Sequence, residues 1–173
     1  MVTSCPLMAR LLAACFAALC FFVSPLARAT TAFFYGHPVP SELFAQYEKT
    51  RSAEKKRTIV AEICTELGVH AQIEEEIFYP AVKAALKDKE LVPEALVEHA
   101  SLKSLIAEVQ GVEPEGEMFD AKIKVMSEFV KHHVKEEQDE MFPKAEQTTL
   151  DMDDLGTQLA ERKEELLAEK ETA

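Results

Sequence analysis

The sequence predicts an all-α protein, and three observations carry that prediction. Ala, Leu, Glu and Lys abound while the 173 residues include only 5 glycines, a composition that favours helix. No stretch alternates apolar and polar positions with β-branched side chains over the length a strand needs. Apolar residues instead recur at steps of three and four, the pattern of helices that turn one face inward. At this length the chain makes one domain with a sizeable core rather than two.

Residues 1–29 stand apart from that domain. Arg10 is followed by an apolar run from Leu11 to Val23 and then by Ala27-Arg28-Ala29, a small-x-small cleavage pattern. This is the layout of a secretory signal peptide, with an apolar segment too short to span a bilayer comfortably. The expectation is an exported protein, periplasmic or secreted, with no stable membrane span after cleavage. An uncleaved membrane anchor or a cytoplasmic protein is the alternative. Cleavage removes three of the 4 cysteines and both Arg10 and Arg28, leaving 17 basic against 31 acidic side chains and a net charge of −14. Cys64 then has no partner for an internal disulfide. So acidic a chain lacks the basic face that nucleic acid requires, and nucleic acid is excluded as an expected partner.

Residues 30–40 read as an irregular segment containing Pro38 and Pro40. Helices follow over about Pro40 to Lys49, Ala53 to Leu86, Pro93 to Gln110 and Glu117 to Met141, which place a helical domain over residues 41–147. Pro93 suits a first turn, Gly111 a C-terminal cap, and "GVEPEG" a connecting loop. Pro80 and Pro143 are expected to kink or end their helices. Over residues 148–173 a further helix, about Asp151 to Lys170, carries Leu155, Leu159 and Leu166 on one side and is expected to pack on the bundle.

The helical stripes contain residues that do not belong in a core. The second helix steps through Ile59, Ile63, Leu67, His70, Glu74, Ile77 and Ala81, and the fourth through Phe119, Ile123, Met126, Val130, His133, Glu137 and Met141. The third steps through Leu96, His99, Leu102, Ile106 and Val109. An isolated buried carboxylate costs several kcal/mol or is neutralised, so two inward-facing glutamates need compensation. In each His-x-x-x-Glu pair the side chains leave one helix face a turn apart, close enough to serve one metal centre. With His99 and His37 the set reaches four His and two Glu, too many for one four-coordinate zinc. Imidazoles mixed with carboxylates suit a pair of irons, with manganese the nearest competitor. Glu75, Glu76 and Glu136 are read as solvated helix surface, His132 as a solvated or supporting residue, and Tyr79 and Phe142 as shields of the site or core packing.

In this order "HAQIEEEIFYP", "EHASLKSLI" and "HHVKEEQDEMFP" resemble the hemerythrin-like HHE cation-binding family, over about Ser41 to Lys170. The resemblance implies an antiparallel up-down four-helix bundle around a non-haem di-iron centre that binds oxygen or related small ligands. It implies His70 and His133 as terminal imidazole ligands, Glu74 and Glu137 as bridging carboxylates, and His99 as the ligand of the third helix. Hemerythrins proper often carry a second His one turn further along that helix, where this chain has Lys103, so the centre is expected to be more open. His37 falls where the first His of the family belongs, but Pro38 biases it out of the helical region. It either coordinates from a helix terminus or misses the site.

Three readings follow for function. The first is a di-iron protein that binds a diatomic ligand such as oxygen or nitric oxide, or handles iron, in sensing, storage or scavenging. It is preferred because no phosphate loop and no nucleophile with a neighbouring base is found. The second is a di-iron oxidase or peroxide-decomposing enzyme. The third is a degenerate bundle without a complete metal site.

Overall fold

The computed structural model describes residues 41–87 and 89–172; the expected signal segment, the irregular segment and His37 lie outside them. Among the described residues the chain is helical throughout, with no strand. Helix α1 spans Ser41–Lys49, α2 Ala53–Ile73, α3 Tyr79–Leu86, α4 Leu91–Val109, α5 Glu117–Glu136, α6 Phe142–Glu146 and α7 Met152–Glu171. A π turn, Glu74–Phe78, joins α2 to α3, and a second, Glu137–Met141, joins α5 to α6.

Local chemistry sets the ends. The Ser52 side chain accepts from Lys55 N–H and the Asp151 side chain from Asp154 N–H, capping α2 and α7. Helix α4 begins at Leu91, earlier than expected, because Pro93 still falls in the first turn, where no N–H is needed for an intrahelical bond. It ends before Gly111, whose φ of 72° is a left-handed conformation that glycine adopts without strain.

Pro80 and Pro143, expected to kink or end their helices, do not end them: both helices run on past their prolines, the second to Glu146 rather than Met141. In a regular α-helix the proline ring collides with the carbonyl four residues back. Here Tyr79 N–H bonds the Glu74 carbonyl and Phe142 N–H bonds the Glu137 carbonyl, each spanning five residues. The widened turn immediately before each proline absorbs that collision.

The extra residue also shifts the inward face. After Glu74 the buried positions are Phe78, Tyr79 and Val82 rather than the expected Ile77 and Ala81, which are only half-buried. Leu96, expected inward on α4, is exposed, and Val92 and Ala95 are buried in its place.

Two apolar clusters form the core. One joins Phe44 and Tyr47 of α1, Ile59 to Leu67 of α2, Leu102 to Val109 of α4 and Phe119 to Val130 of α5. The other joins Phe78 to Val82, Val92 and Ala95 of early α4, Met141 and Ala145, and the inner face of α7. The start of the long helix thus meets the end of α4 and the start of α5, so successive helices run in opposite directions. Each buried Leu, Ile or Phe in these clusters contributes about 1.5–3 kcal/mol of apolar burial. Met152, Leu155, Leu159 and Leu166 bury one face of α7. Arg162 reaches Glu76 at 2.8 Å and Lys163 reaches Glu66 at 3.0 Å at the edges of that contact.

On each long helix a polar interruption falls between the two clusters. His70 lies between Leu67 and Ile73, His99 between Ala95 and Leu102, and His133 beyond Val130. The polar residues therefore share one level of the bundle.

Candidate metal centre

Glu74 and Glu137 are buried, at 0% and 2% exposure, and so are His99 and His133. Ligand atoms of His70, Glu74, His133 and Glu137 lie within 4.8 Å of one another. The single His of α4 joins them: His99 Nε2 stands 3.1 Å from His133 Nε2 and 3.4 Å from Glu74 Oε2. The structure thus brings together His70, Glu74, His99, His133 and Glu137, five of the six residues singled out in the sequence.

Tyr79 adds a further oxygen. Its hydroxyl donates to Glu137 Oε1 at 3.0 Å and lies 3.4 Å from Glu74 Oε2. The same oxygen is 3.2 Å from His99 Nε2 and 3.3 Å from His133 Nε2. One O–H can donate only once, so the phenol cannot satisfy these acceptors together. Sequence reasoning read Tyr79 as a shield or a packing residue because helical spacing turns a residue five positions on away from Glu74. The π turn brings it back.

The electrostatics show a site short of positive charge. Burial works to raise the Glu74 carboxyl, but His70, His133 and His99 outweigh it and hold it well below the usual carboxylate range. Burial, followed by the charge of Glu74, pushes Glu137 well above that range. Burial and the two carboxylates push the Tyr79 phenol up as well. Burial lowers His70. It opposes the His133 imidazolium too, yet Glu74, Glu137 and Glu98 prevail and push that group up to about 10. The His133 imidazolium compensates only one of the two buried carboxylates, and a further cation would let both ionise.

The donor set fits a metal. His70 Nε2 and Glu74 Oε1 are buried without a hydrogen-bond partner, although they lie only 3.2 Å apart. Such orphaned buried atoms are rare in native proteins. A cation among them would satisfy both and would reverse the local charge balance. Three imidazoles, two carboxylates and a phenolic oxygen offer more N and O donors than one tetrahedral ion accepts.

The surroundings correct one reading and add one residue. Glu75, read as solvated surface, places Oε1 3.0 Å from His99 Nδ1 and is bound by Lys103 Nζ at 2.7 Å. Glu98, which had drawn no attention, places Oε2 2.7 Å from His133 Nδ1. Nothing in helical periodicity signals such sideways contacts between helices. Glu76 and His132 are exposed and Glu136 is half-buried; His132 lies 3.3 Å from Glu136 and 3.5 Å from Glu98. Phe142 packs edge-on against buried Phe78, with ring centroids 5.3 Å apart. A cavity of about 170 Å³ has His133 and Glu137 in its lining, so the cluster is approached from the surface between α4 and α5.

Among known proteins, a DNA nickase from Nostoc sp. (strain PCC 7120 / SAG 25.82 / UTEX 2576) is 24% identical over 100 residues. The shared stretch is 58% of this chain and only 28% of that protein. No solved structure shows significant similarity to the chain. The family model "Hemerythrin HHE cation binding domain" matches residues 40–145, more than half of the sequence and the whole span that contains the cluster. With the match and the buried His and Glu residues falling on the same helices, the chain belongs to the hemerythrin HHE cation-binding domain family.

Proposed function

We propose that this chain holds a non-haem di-iron centre and uses it to bind a small diatomic ligand, oxygen or nitric oxide, or iron itself, in sensing, storage or scavenging. The observation that carries the reading is the convergence of two His-x-x-x-Glu pairs, His99 and the Tyr79 phenol around the orphaned atoms His70 Nε2 and Glu74 Oε1. His70, His133 and His99 would hold the metal through imidazole nitrogens, and Glu74 and Glu137 would link the two ions. Bound there, a pair of irons supplies redox electrons and open coordination positions for a small ligand.

The residues of the chain set the conditions for that chemistry. Glu74, His99 and Glu137 are almost fully buried, which strengthens every electrostatic interaction among them. The Tyr79 hydroxyl oxygen lies 3.0 Å from Glu137 Oε1 and donates its proton toward it. His37 remains a proposed sixth ligand, and manganese the competing metal. Export to the periplasm or outside the cell is proposed from residues 1–29. The DNA nickase match covers too little of that protein to transfer its activity, and an acidic chain is a poor partner for phosphate.

A second reading rests on the Tyr79 phenol. A proton donor within reach of both carboxylates is what a peroxide-decomposing centre needs. Metal content and the optical spectrum, recorded without oxygen and then in air, test the first reading. About two irons per chain and a reversible oxygen-dependent or nitric-oxide-dependent band are expected. Sustained peroxide turnover would favour the second reading, and failure to retain metal after iron loading would overturn both. No described helix is long and apolar enough to cross a membrane.

A further inference from the structure

Helix α4 contributes a single imidazole to the cluster, and its position one turn further on is Lys103, whose ammonium cannot ligate a metal. We propose that Lys103 is a positioning residue: through Glu75 it fixes His99 with its hydrogen on Nδ1 and its Nε2 lone pair toward the cluster. The proposal rests on the metal-binding reading of that cluster and concerns how the ligand is held.

Three observations carry it. His99 is 1% exposed, so its Nδ1 must find its partner within the protein, and the partner is Glu75 Oε1 at 3.0 Å. An ionised carboxylate only accepts hydrogen bonds, so Nδ1 carries the hydrogen and Nε2 is left as an acceptor. The opposite edge of the ring faces a carboxylate too, but at a longer distance, Glu74 Oε2 at 3.4 Å. It also meets His133 Nε2 at 3.1 Å, where only one of the two nitrogens can carry hydrogen and the other accepts. Finally, Lys103 Nζ bonds both oxygens of Glu75 at 2.7 Å.

Glu75 is partly exposed and sits on the turn beside Glu74, from which it could swing into solvent. Lys103 lies on α4 one turn beyond His99 and holds that carboxylate across the gap between the helices. A carboxylate behind a ligating imidazole fixes ring orientation and raises basicity, and its loss typically weakens metal binding about 10–100-fold. The residue at the position of the second imidazole is thus a brace on the first. Glu98 holds His133 Nδ1 at 2.7 Å in the same way but without a lysine behind it, which provides an internal comparison.

The test uses the mature protein. Long-range proton–nitrogen correlation of the imidazoles in the metal-free state, at a pH where His99 is neutral, should show hydrogen on Nδ1 of His99. Glu75→Ala should shift His99 toward a mixture of tautomers and weaken iron binding about 10–100-fold. Glu75→Gln, which keeps an acceptor oxygen, should restore part of both, with circular dichroism unchanged throughout. Lys103→Met should give a smaller loss in wild type and none in the Glu75→Ala background, the coupling expected of residues acting in series. Hydrogen on Nε2 of His99, or a Lys103→Met effect that persists without Glu75, would overturn the proposal. If the wild type binds no iron while the tautomer responds as described, the metal reading fails and the brace stands.

Discussion

Tyr79 is joined to Glu74 twice: its peptide N–H donates to the Glu74 carbonyl, and its hydroxyl lies 3.4 Å from the carboxylate of the same residue. The π turn between them makes both contacts possible, because a residue five positions on returns to the same side only where the helix is widened. The phenol is thereby set among the metal-facing groups.

Replacing Tyr79 with Phe should therefore act on the centre rather than on the fold. If the phenol oxygen reaches ferric iron, the loaded protein absorbs in the visible through phenolate-to-iron charge transfer. Tyr79→Phe should abolish that band while iron per chain stays at the wild-type value. An unchanged spectrum would place the hydroxyl outside the coordination sphere.

Glu137 should matter more to metal binding than to metal-free stability. Without a cation Glu137 is driven toward its neutral form by burial and by Glu74, and Gln imitates that form without changing shape. The substitution removes no charge from the metal-free site. At about 2–4 °C per kcal/mol for a domain of this size, Glu137→Gln should therefore leave the metal-free melting temperature within a few degrees of wild type. Iron affinity should fall at least about tenfold, the effect of losing even a supporting carboxylate. Calorimetry with and without iron checks both halves.

The C-terminal helix is held by its apolar face. Leu159 is fully buried, so Leu159→Ala should cost about 2–5 kcal/mol in urea unfolding. Arg162 bonds Glu76 at 2.8 Å, but both groups reach solvent, and Arg162→Ala should cost less than about 1 kcal/mol. Equal losses from the two variants would contradict this division.

Cys64 provides a pH-dependent readout. Burial pushes its thiol up to about 11, above the usual value of about 8.5 for an unfolded chain. The folded state therefore keeps a proton that the unfolded state releases. This contribution to stability is complete below the unfolded pKa and is lost as pH rises through about 11. Cys64 should resist alkylation at pH about 8 in the folded protein and react fully in urea. Rapid alkylation without denaturant would show that the thiol is not shielded.

Much of this could be read from residue order. Helical spacing located the long helices and put His70, Glu74, His99, His133 and Glu137 at one level, because a polar side chain on an apolar stripe is visible without coordinates. Three features were not legible. The π turns that carry the helices past Pro80 and Pro143 change the period at the point where the period was being used. Tyr79 was hidden by the same shift. The contacts of Glu75 and Glu98 run between helices, and spacing along one helix carries no information about reach across to another.

The three consecutive glutamates Glu74, Glu75 and Glu76 separate into three destinations: the cluster, His99 with Lys103, and Arg162 of α7. Their phase depends on the residue wound in excess at the π turn. Aligning this chain to a bundle with unbroken α-helices, and closing the gap between the glutamate and the proline, would mispair every later position of the helix. The mismatch would be about 100° of rotation. For grafting or comparing such sites, the count from acid to proline therefore matters as much as which residues stand between them.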